Sequence, residues 1–317
     1  CLRHLPKPMS AFDSILLIAF GGPDKPEDIR PFLEIVAQGR RIPRERLEEV
    51  VHHYELMGGR SPLTELTLRQ ARGLRRELEK KGVGLPVYVG MRNWHPFIHE
   101  TLVSMAEQGN GCALGIILSA FQTEASWERY MKDVEGAREK VGAGAPAVSY
   151  MPGWSGHPLF IEGTAATVRD ALQRLGAGKL AKTALVFTAH SIPKSMADSS
   201  PYAAQFIHAA REVSRQVGHR HWSVAYQSRS GRPDDPWLEP DISDRLGALG
   251  GEGFRDVVVV PLGFVCDHVE VLYDLDFEAR QTARALGLRF HRVPAANDQP
   301  YFIALLADLV QKGLSRA

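Results

Sequence analysis

Apolar residues along the chain gather in short unbroken runs separated by longer amphipathic stretches. Six runs read as strands: SILLIAF at 14–20, VYVGM at 87–91, LGIILSA at 114–120, ALVFTAH at 184–190, VAYQS at 224–228 and VVVVPLGF at 257–264. Those at 114–120 and 257–263 do not alternate with polar residues, as expected of parallel strands covered by helices on both faces. The stretches between predict helices, several with readable ends. PRERLEEVVHHYELM closes on Gly58-Gly59, and SPLTELTLRQARGLRRELEKK opens on Ser61 as a cap, with Pro62 at the first helical position.

The order strand, helix, strand, repeated twice over, predicts an α/β chain of two similar doubly wound, Rossmann-like domains with parallel sheets. A break near 123–150 and a return crossing around 295–301 place the first domain at 11–123, completed by a C-terminal helix at 301–317, and the second at 124–300. A length of 317 residues agrees, because single cores seldom grow beyond roughly 250–300 residues. Two domains invite a cleft, and in such sheets ligands bind beyond the carboxyl ends of the strands.

Charge changes little. Thirty-eight basic and 37 acidic residues leave a formal +1, which gives no global attraction for nucleic acid or an anionic membrane. Cys1, Cys112 and Cys266 show neither disulfide pairing nor zinc spacing, which fits a reducing cytoplasm. Neither a signal peptide's apolar run nor a membrane-length apolar segment is present, so the chain reads as soluble. G-x-G-x-x-G, Walker A and G-x-S-x-G motifs are missing, which removes the main support for nucleotide and serine-hydrolase chemistry.

Candidate chemistry sits where strands end. His190 closes the run 184–190, and a histidine there can accept a proton near neutral pH or ligate a divalent metal. After 257–263, acids at Asp267, Glu270, Asp274 and Glu278 would form one helical stripe. Like charges at that spacing repel, so the stripe points to a polar channel, proton relay or cation site. YQSRSGRPDDPWLEP at 226–240, with three prolines, reads as a shaped loop in which Pro236 and Trp237 offer a wall to a planar ligand. Phe20-Gly21-Gly22-Pro23 follows the first strand, where glycine permits close backbone approach.

Taken in order, FGGP at 20–23, HYELMGGRSPL at 53–63, TAHSIP at 188–193, YQSRSGRPDDPWLEPD at 226–241 and PLGFVCDHVEVLYDLD at 261–276 resemble the ferrochelatase family across nearly the whole chain. The resemblance implies insertion of Fe²⁺ into a porphyrin with release of two protons, in haem biosynthesis. It implies His190 as proton acceptor and transient iron ligand, Glu270 as the carboxylate opposite, and Asp274 and Glu278 as a relay. It further implies porphyrin contacts from His53, Tyr54, Ser61 and Tyr130, with Arg40 or Arg41 replacing an arginine that would fall near Ala37. Phe20 stands where some relatives carry tyrosine, so no axial phenolate is expected, and with Trp237 it would wall the ring. Ala120-Phe121-Gln122-Thr123 lacks the histidine or tyrosine of some relatives, which removes a metal-delivery role from that loop.

Iron is expected as substrate, with no tightly bound cofactor and no iron–sulfur cluster, since three scattered cysteines cannot supply four ligands. RNWHP at 92–96 and the C-terminus resemble the soluble branch that metallates coproporphyrin III, and a basic shell of Arg40, Arg41, Arg92 and His53 favours four propionates over the two of protoporphyrin IX. The other readings are a protoporphyrin enzyme, a sirohydrochlorin chelatase, a non-catalytic porphyrin carrier and a two-domain solute-binding protein, the last opposed by the lack of an export signal. A monomer making at most transient contacts with other haem-pathway enzymes, and no membrane anchor, completes the expectation. The sequence leaves open whether 269–278 is a regular helix or contains a π-bulge.

Overall fold

The computed structural model describes residues 12–39, 43–230 and 235–316. β1 (Ser14–Ala19), β2 (Val87–Met91), β3 (Cys112–Ile117) and β4 (Ala147–Tyr150) form one parallel sheet in the order β2-β1-β3-β4. β5 (Thr183–His190), β6 (Trp222–Gln227), β7 (Asp256–Val260) and β8 (Arg289–Arg292) form a second, in the order β6-β5-β7-β8. The second half thus repeats the topology of the first. Ile15 to Ile18 and Leu185 to Phe187 are wholly buried, because helices cover both faces of each central strand.

Alternation along β5 decides what each face meets. Leu185, Phe187 and Ala189 point into the large core shared with helices Pro158–Leu175 and Tyr202–Val217. Ala184 and Val186 point to the opposite face, against Val271, Leu275 and helix Ile242–Gly251. Thr188 and His190 continue that second face, so the period of two aims His190 at the helix beginning at Val269.

Two strands escaped the sequence reading. β4 and β8 have four residues each, lie at sheet edges and carry exposed or half-buried positions, so neither forms an apolar run. β4 pairs with β3, and the first sheet therefore draws on residues beyond the expected boundary at 123. The C-terminal helix, Pro300–Arg316, wedges between helices Leu63–Lys80 and Pro158–Leu175. A Cβ on Gly163 would lie 2.1 Å from Tyr301 Cγ, and one on Gly73 would lie 2.8 Å from Ile303 Cδ1, so this packing needs both glycines.

From Val269 to Val271 the helix after β7 is α, from Leu272 to Ala279 it is π, and from Arg280 to Ala285 it is α again. The question left open by the sequence is settled as a π-segment, whose i→i+5 hydrogen bonds widen the turn.

Candidate active site

His190 ends β5, at the point of the second sheet where β5 lies between β6 and β7, the topological switch. Its surroundings are hydrogen-bonded on every side. Tyr202 Oη donates to the His190 carbonyl at 2.9 Å, Ser191 N–H donates to Gln227 O at 2.7 Å, and Ser191 Oγ donates to Leu238 O at 2.8 Å. His190 Nδ1 contacts the Ser191 carbonyl, which can only accept, so Nδ1 carries the ring proton. Nε2 is thereby left as the basic nitrogen, and it stands 3.9 Å from Glu270 Oε2.

The loop joining β7 to the Glu270 helix passes directly over the end of β5. A Cβ on Gly263 would fall 2.6 Å from Ala189 Cβ, and Gly263 N–H donates to Thr188 O at 2.9 Å. That close passage brings Glu270 to His190. His268 caps the helix, its Nδ1 accepting from Val271 N–H at 3.3 Å, and its Nε2 lies 3.6 Å from Glu270 Oε2. Burial pushes His268 below the ordinary imidazole range, so the neutral ring presents Nε2–H toward the carboxylate.

Asp274 lies one turn further along. Gln227 Nε2 donates to it at 3.4 Å, and Ser228 Oγ forms a very short contact with it. Burial first, then the charges of Glu270 and Glu278, outweigh these donors and push its pKa up to about 7. Glu278 is exposed, and burial first, then the nearby Glu278 charge, raises the pKa of Tyr273. Asp267 leaves the stripe. It precedes the helix and turns to Arg292 at 2.7 Å, Ala295 N–H at 3.1 Å and Asn297 Nδ2 at 2.8 Å, which makes it a structural carboxylate.

The facing wall comes from the first domain. Val269 inserts among Ile29, Phe32, Leu33, Val51, Tyr54 and Trp94. Tyr54 is buried, and burial together with the Glu270 charge pushes its hydroxyl well above the ordinary phenol range. His53 stacks on Tyr273 with ring centroids 3.6 Å apart. Phe20, 37% exposed, stands edge-on to Phe32 at the end of β1 and supplies apolar surface. Trp237 is buried and its segment is laced to 192–194 by Leu238 N–H to Ile192 O and Lys194 N–H to Pro236 O.

Several expected propionate contacts are engaged otherwise. Ser61 is 4% exposed, and its Oγ accepts from Leu63 N–H at 3.3 Å; the helix itself is counted from Leu63, with Pro62 at the cap. Tyr130 is buried beneath the Arg92 guanidinium, 5.9 Å from its ring centre, and Arg92 is paired with Asp133 at 2.7 Å. Burial, with Arg46 and His52 nearby, lowers the pKa of His53 and keeps that ring neutral near pH 7. Arg40 and Arg41 lie outside the described residues. The basic shell expected from Arg40, Arg41, Arg92 and His53 is therefore not assembled by the described residues.

His268, Gln227, Ser228, Tyr202 and Tyr273 were not singled out in the sequence. His268 had a signal, two positions before Glu270. Gln227 is found only through the register that pairs it with His190. Among the described residues no group of three or more His, Cys, Asp and Glu side chains converges as a metal cage; Glu270 Oε2 lies 3.9 Å from His190 Nε2 and 3.6 Å from His268 Nε2. An imidazole and a carboxylate suit a divalent ion held in transit.

The family model described as Ferrochelatase matches residues 13–314. Coproporphyrin III ferrochelatase of Nocardia farcinica is 43% identical over 312 residues, covering 96% of this chain and 89% of the relative. A protein named ferrochelatase from Rhodopirellula baltica is 40% identical over 306 residues, covering 96% and 87%. Among solved structures, CbiX, the terminal enzyme of siroheme biosynthesis in denitrifying bacteria, superposes with a TM-score of 0.56 at 15% identity, over 94% of this chain and 98% of that one. The cobalt complex of the sirohydrochlorin chelatase SirB from Bacillus subtilis subspecies spizizenii gives 0.54 at 12%, over 96% and 95%. These two likenesses show the chelatase fold and nothing finer. No helix of the described residues is long and apolar enough to cross a membrane.

Proposed function

The chain belongs to the ferrochelatase family, and from that premise we propose that it inserts Fe²⁺ into coproporphyrin III at the His190–Glu270 pair. The observation that carries the reading is the pair itself, His190 Nε2 lying 3.9 Å from Glu270 Oε2 at the carboxyl end of β5.

A porphyrin surrenders two pyrrole N–H protons as the ferrous ion bonds its four nitrogens, so the product ring is a dianion neutralised by Fe²⁺. His190 Nε2 takes the two pyrrole protons in turn, handing on the first before accepting the second, Glu270 balances the imidazolium formed each time, and Nε2 contacts the incoming ion only while unprotonated. Asp274, with a pKa of about 7, exchanges protons near neutrality and passes them toward exposed Glu278. His268, whose Nε2 lies 3.6 Å from the same Glu270 Oε2, orients that carboxylate. Phe20 supplies apolar surface for the macrocycle, and buried Trp237 backs the segment 236–238 that is bonded to 192–194.

Coproporphyrin III is favoured over protoporphyrin IX by the names of relatives at 43% and 42% identity. The reading extends to a monomer working in the cytoplasm, the compartment being supported by unpaired Cys112 and Cys266. Anaerobic turnover of purified protein with each porphyrin tests it. Preferential metallation of coproporphyrin III is expected; preferential metallation of protoporphyrin IX would reassign the substrate, and tight binding of either without turnover would make the protein a carrier.

A further inference from the structure

Helix Leu63–Lys80 of the first domain carries a wholly buried glutamine, Gln70, that reaches across the domain boundary. Its Nε2 donates to Asn297 O at 2.8 Å and lies 3.4 Å from Val265 O and 3.2 Å from Cys266 Sγ. These atoms belong to the two segments that bracket the start of the Glu270 helix. Asn297 in turn accepts from Asp267 N–H through Oδ1 at 2.8 Å and donates to Asp267 Oδ2 through Nδ2 at 2.8 Å. Asn297 N–H donates to Val265 O at 2.8 Å, and His268 N–H donates to Cys266 O at 3.0 Å. Hydrogen bonds therefore run unbroken from a first-domain helix to the turn 265–268, two residues short of Glu270.

We propose that Gln70 is a positioning residue for metal insertion, coupling the seating of the two domains to the placement of Glu270. The inference rests on the reading of Glu270 given above. The amide's two N–H groups reach carbonyls from both segments at once, and its Oε1, buried without a partner, costs far less there than a buried charge would. Neighbouring Arg69 binds Asp298 at 2.8 Å on the exposed rim. That contact is screened by solvent, so Arg69 contributes little to the coupling.

The test is anaerobic ferrous insertion by full-length wild type, Gln70→Met, Arg69→Ala, Glu270→Gln and the double variant Gln70→Met/Glu270→Gln. Gln70→Met keeps the volume and removes the donors. A fall in kcat of about tenfold or more is expected, the usual effect of losing an outer support of a reacting group, with porphyrin KM changed less than about twofold. In the Glu270→Gln background the same substitution is expected to add no further loss, and Arg69→Ala to behave as wild type. Equal losses in both backgrounds, or a folded Gln70→Met with wild-type kcat, would overturn the inference. Should Gln70→Met melt below the assay temperature, Gln70→Asn, too short to reach Asn297, takes its place under the same criteria. Wild-type protein without turnover would sink the underlying reading, a result distinct from an active enzyme indifferent to Gln70.

Discussion

His53 and Tyr273 stack face to face, centroids 3.6 Å apart and planes 12° apart, across the boundary between the two domains. One ring comes from helix Arg44–Leu56 and the other from the π-segment Leu272–Ala279, so the contact holds the first-domain wall against the helix that carries Asp274. His53→Ala is expected to cost about 1 kcal/mol beyond the area it exposes. Because burial lowers the His53 pKa from 6.5, the folded state favours the neutral ring. Its contribution is fully present above pH 6.5 and is lost as pH falls through the lower folded value. Urea melts of both proteins from about pH 7.5 to 5.5 should show the gap between them shrinking.

Asp274 has the opposite sign. Its pKa is raised from 3.8 to about 7, so the folded state holds a proton that the unfolded chain has released, and stability falls as pH rises through that window. Asp274→Asn should therefore melt higher than wild type, with a margin that grows as pH rises from 3.8 to about 7 and then levels. The same variant should lose the inflection near pH 7 in the kcat profile and turn over more slowly, the usual exchange of function for stability at a strained site. Calorimetry and pH–rate profiles of the pair check both halves.

Gly263 is held by space. Alanine there would drive its Cβ against Ala189, one residue before His190. Gly263→Ala is expected to destabilise by about 1–3 kcal/mol and to lower kcat more than a surface substitution of equal stability cost. A kcat unchanged at equal foldedness would show that the β7 loop does not set the His190 position.

Much of this was legible in the chain. The unbroken runs at 14–20, 184–190 and 257–264 lie within or across β1, β5 and β7, because burial on both faces demands apolar residues at every position. The positions of His190 and Glu270 near strand ends were legible for the same reason: His190 closes one such run and Glu270 lies just beyond another. What stayed hidden depends on contacts between distant segments. β4 and β8 are edges with polar positions, so no periodicity announces them. Asp267 shares the i, i+3 spacing of the stripe, yet Arg292 and Asn297, some thirty residues on, claim it for structure. Ser61 and Tyr130 are chemically apt for propionates, and only the fold shows them buried under their own domain. The π-segment leaves no mark in spacing alone.

Joint action of His190 and Glu270 at the reacting face is tested by anaerobic ferrous insertion into coproporphyrin III, measured for wild type, His190→Ala and Glu270→Ala at matched foldedness. A kcat loss of about a hundredfold or more is expected for His190→Ala, the range of general acid–base catalysis, and a smaller but clear loss for Glu270→Ala. A His190→Ala protein that metallates the porphyrin at the wild-type rate would contradict it.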